Sequence, residues 1–131
     1  MQRPNLAPIF RWLTVVTAGL VVVQAFLAGR GLWLGERGLI DAHEMLANIL
    51  FLLAVAQFGL VLAIGFANPL GKRLLAMNAV LAIALVAQTG LGYVGRDNMD
   101  ARAWHFPLGV LIFGLAVMIV MMAWQEKAAR Q

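Results

Sequence analysis

The chain predicts an all-α fold, a four-helix transmembrane bundle built from two tandem helical hairpins (a parallel 2+2 repeat) forming one integral membrane domain over residues 1–131. Three observations predict it. The composition is 63% hydrophobic and only 12% charged, about half the charged share of an ordinary soluble domain. The apolar residues fall in four continuous runs, and a hydrocarbon core about 30 Å thick takes about 20 helical residues to cross. Finally, the chain repeats itself: "HEMLANILFLLAV" from His43 is answered by "HFPLGVLIFGLAV" from His105.

The first run covers residues 9–28, with Arg11 and Trp12 at its entrance. It follows "QRPNLAPIFR" and lacks the small-residue cleavage site of a signal peptide, so it is read as a retained helix. The second run covers 42–66, the third 74–93 and the fourth 104–124. The intervening "AGRGLWLGERGLID", "ANPLGKR" and "VGRDNMDARA" carry the glycine, proline and charge of polar breaks. Barrel strands alternate over about 10 residues, whereas these runs are apolar throughout, which favours helices.

The formal net charge of +4 does not predict a nucleic-acid partner, because the basic residues flank the spans, where interfacial and topological signals belong. Arg3, Arg11, Lys72, Arg73, Lys127 and Arg130 fall on one side. Arg30, Arg37, Arg96 and Arg102 fall on the other, together with Glu36, Asp41, Glu44, Asp97 and Asp100. This bias predicts both termini in the cytoplasm, and the expected location is a bacterial or archaeal plasma membrane. Trp12 and Trp124 then mark the cytoplasmic interface, and Trp33, Tyr93 and Trp104 the outer one. The absence of cysteine excludes disulfides, thiolate metal sites and covalent c-type haem attachment.

The repeat extends upstream, since "QAFLAGRG" from Gln24 parallels "QTGLGYVG" from Gln88. Histidine follows glutamine by nineteen residues in the first copy and by seventeen in the second, so each unit is helix, loop, helix. Two spans per unit give both copies the same orientation, which places His43 and His105 at one depth on one side. Helical spacing puts Leu46 and Ala47 on the face of His43, and Leu108 and Gly109 on the face of His105.

Paired inward imidazoles at one depth are what bis-histidine ligation of a haem iron requires, so His43 and His105 are the predicted metal ligands. Ala47 and Gly109 leave room beside them, as do Gly19, Gly29, Gly90 and Gly92, although small residues also serve close helix packing in membranes. Zinc normally takes three or four protein ligands, and His105 is flanked only by Trp104 and Phe106. Gln24 and Gln88 are candidates for hydrogen bonds to the histidines or to haem carboxylates, or for polar bonding between spans. Arg30, Arg37, Arg96 and Arg102 are candidates to pair with the haem propionates, or else ordinary interfacial anchors. Asn48, Gln57 and Asn78 are expected to bond between helices, and no catalytic constellation is visible.

Through "AQTGLGYVG" and "ARAWHFPLGVLIF" the chain resembles one four-helix half of the haem A synthase family, and related small bacterial four-helix membrane proteins with one histidine on each of helices two and four. The resemblance covers nearly the whole chain and implies haem-site histidines at His43 and His105. Three departures stand against the synthase activity. The cysteine pair found in many members is missing, Leu39, Ile40, Asp41 and Ala42 precede His43 where a glutamate is expected, and only one four-helix unit exists.

The expected function is therefore a membrane b-type cytochrome that binds one non-covalent haem, taken as haem b with its type left open, for electron transfer. An electron carrier is expected rather than a catalyst. Two alternatives stay open, a haem-free accessory subunit of a larger membrane complex and a haem-handling protein related to haem A synthase. Expected partners are the lipid bilayer, a redox partner or larger complex, and a second copy of the chain.

Overall fold

In the computed structural model, residues 5–65 and 68–128 are described, with side chains through Gln125. They form α1 (Ala7–Leu34), α2 (Arg37–Ile64), α3 (Pro69–Val94) and α4 (Met99–Ala128). Each helix packs on two others: α1 on α2, α2 on α3, α3 on α4 and α4 on α1. The ring is closed, and α2 and α4 face each other along a diagonal. All four helices are long and apolar enough to cross a membrane, with mean hydropathies of 1.9, 2.3, 1.9 and 2.5 over their most apolar windows.

The helices are longer than the apolar runs, for local reasons at each end. The segment "AGRGLWLGERGLID" reads as a polar break, yet Gly29–Leu34 continue α1 and only Gly35 and Glu36 separate it from α2. Gly35 adopts φ 67° and its N–H bonds the carbonyl of Gly31, the left-handed cap that glycine supplies without strain. Gly31 itself is buried, and a Cβ there would lie 2.7 Å from Ile40 Cδ1, so its bareness lets α1 and α2 close into a tight hairpin. Helix α3 starts at Pro69, five residues before its apolar run. Asn68 accepts a hydrogen bond from Gly71 N at 2.6 Å, and the missing N–H of proline is harmless in the first turn. Asn98 does the same for α4, accepting from Ala101 N at 3.0 Å.

Burial follows stripes of three- and four-residue steps. On α1 the buried positions include Phe10, Thr14, Thr17 and Val21, and on α3 Leu74, Asn78, Leu81 and Leu85, in identical spacing. On α2 they are Leu50, Ala54, Gln57 and Val61, matched in spacing on α4 by Ile112, Ala116, Ile119 and Ala123. The outward faces are equally apolar, with Phe26, Leu52, Ile83, Val110 and Leu111 all more than half exposed. Helices apolar all round suit a surface solvated by lipid.

The core also holds polar groups. Thr17, Gln57 and Asn78 are each at most 1% exposed. Thr17 Oγ1 lies 3.1 Å from Gln57 Oε1, Gln57 Nε2 donates to Asn78 Oδ1 at 2.6 Å, and Asn78 Nδ2 donates to the carbonyl of Leu74 at 2.7 Å. This chain ties α1, α2 and α3 together. Nearer the other end, Asn48 Nδ2 donates to the hydroxyl of Tyr93 at 3.3 Å. The expected interhelical role of Asn48, Gln57 and Asn78 is thus met. Trp12 and Trp124 meet edge to face with ring centres 5.8 Å apart, so α1 begins where α4 ends. Arg3 and Arg130 lie outside the described residues, as does the side chain of Lys127.

Candidate functional site

His43 and His105 stand six positions beyond the first residue of their helices, Arg37 and Met99. Both therefore sit about 9 Å along the axis from the helix start. Each also lies seven residues before the first buried core residue of its helix, Leu50 on α2 and Ile112 on α4. Seven residues are close to two turns, so the stripe that buries Leu50 and Ile112 turns both imidazoles toward the bundle interior. They meet across the diagonal with ring centres 6.2 Å apart and planes at 67°.

Each histidine is held by the glutamine of the preceding helix through a matched pair of bonds to backbone carbonyls. His43 Nδ1 lies 3.0 Å from the backbone carbonyl oxygen of Gln24, and His105 Nδ1 lies 3.1 Å from that of Gln88. A carbonyl oxygen only accepts, so these contacts require the proton on Nδ1 and leave Nε2 of each neutral ring with a lone pair. In return, the Gln24 side chain donates Nε2–H to the carbonyl of His43 at 2.8 Å, and Gln88 donates to that of His105 at 3.0 Å. The two amide nitrogens thus serve the histidine backbone, and that of Gln24 also lies 3.5 Å from His43 Nε2. Among the described residues, Gln24 Oε1 and Gln88 Oε1 are buried side-chain acceptors without a protein donor.

Small residues make this arrangement possible. A Cβ at Gly109 would come within 3.2 Å of Gln88 Nε2, so the glycine four residues after His105 opens the path by which the amide reaches the histidine carbonyl. A Cβ at Gly92 would lie 3.3 Å from His105 Cε1, so this glycine accommodates the ring. A Cβ at Gly19 or Gly90 would meet no atom within 4 Å, and neither glycine lines the clefts described next.

Two clefts converge on the histidine pair. One opens between α1 and α4, has a volume of about 480 Å³, and is walled by Val21, Ala25, Gly29, Gly109, Val110 and Phe113. The other opens between α2 and α3, has a volume of about 230 Å³, and is walled by Glu44, Ala47, Gly92, Tyr93, Arg96 and Arg102. Both are lined by Gln24, His43, Gln88 and His105. The four arginines of the sequence reading are thereby separated. Arg96 and Arg102 line the α2–α3 cleft, whereas Arg30 and Arg37 are exposed and line neither.

Arg96 is paired with Glu44, donating Nε–H to Oε1 at 3.1 Å and a second bond from Nη2 to Oε2. Its guanidinium carbon lies 4.9 Å from the centre of the Tyr93 ring. Arg102 donates from Nε to the carbonyl of Gly95 at 2.9 Å and from Nη2 to that of Arg96 at 3.0 Å, which anchors it to the end of α3. The site roles of Glu44 and Tyr93 were not legible beforehand. Glu44 is 52 residues from its partner, and no local spacing announces that pairing.

The two imidazoles are the metal-ligating side chains that this site brings together. Among the described residues there is no cluster of three or more His, Cys, Asp or Glu side chains able to hold a bare metal ion. A porphyrin brings four equatorial nitrogens of its own and asks the protein only for axial ligands. An imidazole–metal–imidazole sandwich with metal–nitrogen bonds of about 2 Å spans roughly 6 Å between ring centres, close to the 6.2 Å found here. No family model, curated protein or solved structure matches this chain.

Proposed function

We propose that this protein is a membrane b-type cytochrome in which His43 and His105 are the axial ligands of a single non-covalent haem. The observation that carries the reading is the diagonal imidazole pair, 6.2 Å between ring centres, with both Nδ1 atoms tied to backbone carbonyls. A bound haem iron supplies a one-electron couple. The chain's part is to hold both rings in one tautomer and orientation, and the Nδ1–H bonds do so while raising the basicity of Nε2. Two histidine ligands close both axial positions, which suits electron transfer better than oxygen activation. Val21, Leu50, Leu85 and Ile112 line the space beside the pair with hydrocarbon.

The equivalent clasps of Gln24 on His43 and of Gln88 on His105 support a tandem hairpin origin for this symmetry, with both inherited from one ancestral unit. We place the protein in a bacterial or archaeal plasma membrane with both termini in the cytoplasm and the histidine end outward. An electron donor or acceptor would then approach from that face or within the bilayer.

The test is the absorption spectrum of protein purified from haem-supplied membranes, recorded oxidised and reduced. A sharp Soret band with resolved α and β bands on reduction is expected. Pyridine extraction then tells haem b from the a and o types. Colourless protein from membranes that load other cytochromes would sink the reading and leave a haem-free accessory subunit.

A further inference from the structure

The two clefts that meet at the histidines differ in chemistry. Apart from the shared histidines and glutamines, the α1–α4 cleft has only apolar walls. The α2–α3 cleft carries Glu44, Arg96 and Arg102. A molecule seated on both would have a hydrocarbon edge on one side and an anionic edge on the other. Haem b is such a molecule, with two carboxylates on one edge.

Resting on the haem reading, we infer that the α2–α3 mouth receives the haem carboxylates, with Arg96 and Arg102 as their cationic partners and Glu44 as the group they displace. Arg102 is fixed through Nε and Nη2, and its remaining N–H donors are not used by those two bonds. Arg96 is preset over the Tyr93 ring by Glu44. The pair is partly exposed, with side-chain exposures of 51% and 37%, so water screens it and it exchanges readily for another carboxylate. Guanidinium groups bind carboxylates through two parallel N–H bonds, a geometry that Lys does not reproduce. Glu44 competes for Arg96 and repels an incoming carboxylate. Arg30 and Arg37 take no part, because they lie outside both clefts.

The assignment is tested by titrating haem-depleted full-length protein, in discs of uncharged lipid, with haem and separately with haem dimethyl ester, following the low-spin Soret band. The ester keeps the iron and the hydrocarbon edge but loses both negative charges. The R96Q/R102Q variant is expected to bind haem at least about tenfold more weakly while its affinity for the ester stays within about twofold. E44Q is expected to move haem affinity the opposite way, tightening it about threefold with no change for the ester. R30Q/R37Q serves as the control and should leave both affinities unchanged. Equal effects on haem and ester, or a selective loss in R30Q/R37Q, would overturn the assignment while leaving histidine ligation intact. Failure of the unsubstituted protein to give a low-spin species with either porphyrin overturns the haem reading itself. Preserved ester binding reports that each variant is folded.

Discussion

His105 Nδ1 lies 3.1 Å from the backbone carbonyl oxygen of Gln88, and this contact assigns the chemistry of the other ring nitrogen. The carbonyl cannot donate, so Nδ1 carries the proton and Nε2 is free to bind a metal. Because the acceptor is backbone, replacing the Gln88 side chain keeps this bond and loses only the return bond from Nε2 to the His105 carbonyl. Gln88→Leu is therefore expected to keep the low-spin haem spectrum while weakening haem retention a few-fold. His105→Ala and His43→Ala each remove an axial ligand and should abolish the low-spin spectrum. Paired spectra of the three variants, after equal detergent washing, check this ordering.

Gly92 and Gly90 lie two residues apart on α3 and meet different surroundings. A Cβ at position 92 lies 3.3 Å from His105 Cε1, whereas one at position 90 meets nothing within 4 Å. Valine at either position makes the same change in helix propensity. Only Gly92→Val pushes on the imidazole, and the overpacking is expected to cost about 1–3 kcal/mol. Gly92→Val should thus lose most of its low-spin haem, and Gly90→Val should retain it. Equal loss from both would show that His105 is not positioned through Gly92.

The histidine pair was legible because two regularities of the sequence coincide. A repeat placed His43 and His105 at equivalent points, and helical spacing set both on the faces that bury Leu50 and Ile112. The Gln24 and Gln88 contacts were legible for the same reason. The division among the arginines was not. All four flank the histidine end in polar segments, but α1 runs on through Leu34 and carries Arg30 on its exposed side, and Arg37 opens α2 also exposed. Arg96 and Arg102 instead line the cleft, and only the packing of α2 against α3 brings Glu44 to meet Arg96. The helix ends were missed where glycine was read as a break, since Gly29 and Gly31 stay helical within a packed hairpin.

Gln57 is the centre of the buried polar chain, meeting both Thr17 and Asn78. Gln57→Leu leaves the amide oxygen of Asn78 without its donor, which is expected to destabilise the bundle by about 1–2 kcal/mol. Adding Asn78→Leu should cost less than its effect alone, because it removes the stranded partner. Unfolding in detergent for the two single variants and the double checks this non-additivity. The histidine site stands 14 residues from Gln57 along α2, roughly 21 Å away. The haem spectrum should therefore be unchanged in folded protein, and a spectral shift would mean that the polar chain sets the histidine geometry.

The proposed orientation rests on the positive charges, since acidic residues contribute little to the insertion rule. In the sequence, Arg3, Arg11, Lys72, Arg73, Lys127 and Arg130 flank the span ends opposite the histidines, against Arg30, Arg37, Arg96 and Arg102 at the histidine end. The absence of cysteine from the sequence allows single probes without background. Glu36→Cys in the α1–α2 turn and Asp97→Cys in the α3–α4 turn report the histidine end, and Gln125→Cys near the close of α4 reports the other. All three positions are exposed. A membrane-impermeant maleimide is expected to label the first two in intact cells and the third only after permeabilisation. The reverse pattern would turn the histidine pair toward the cytoplasm and move any aqueous redox partner with it. Labelling therefore decides which compartment faces the Glu44–Arg96 mouth, and so from which side a porphyrin carboxylate reaches it.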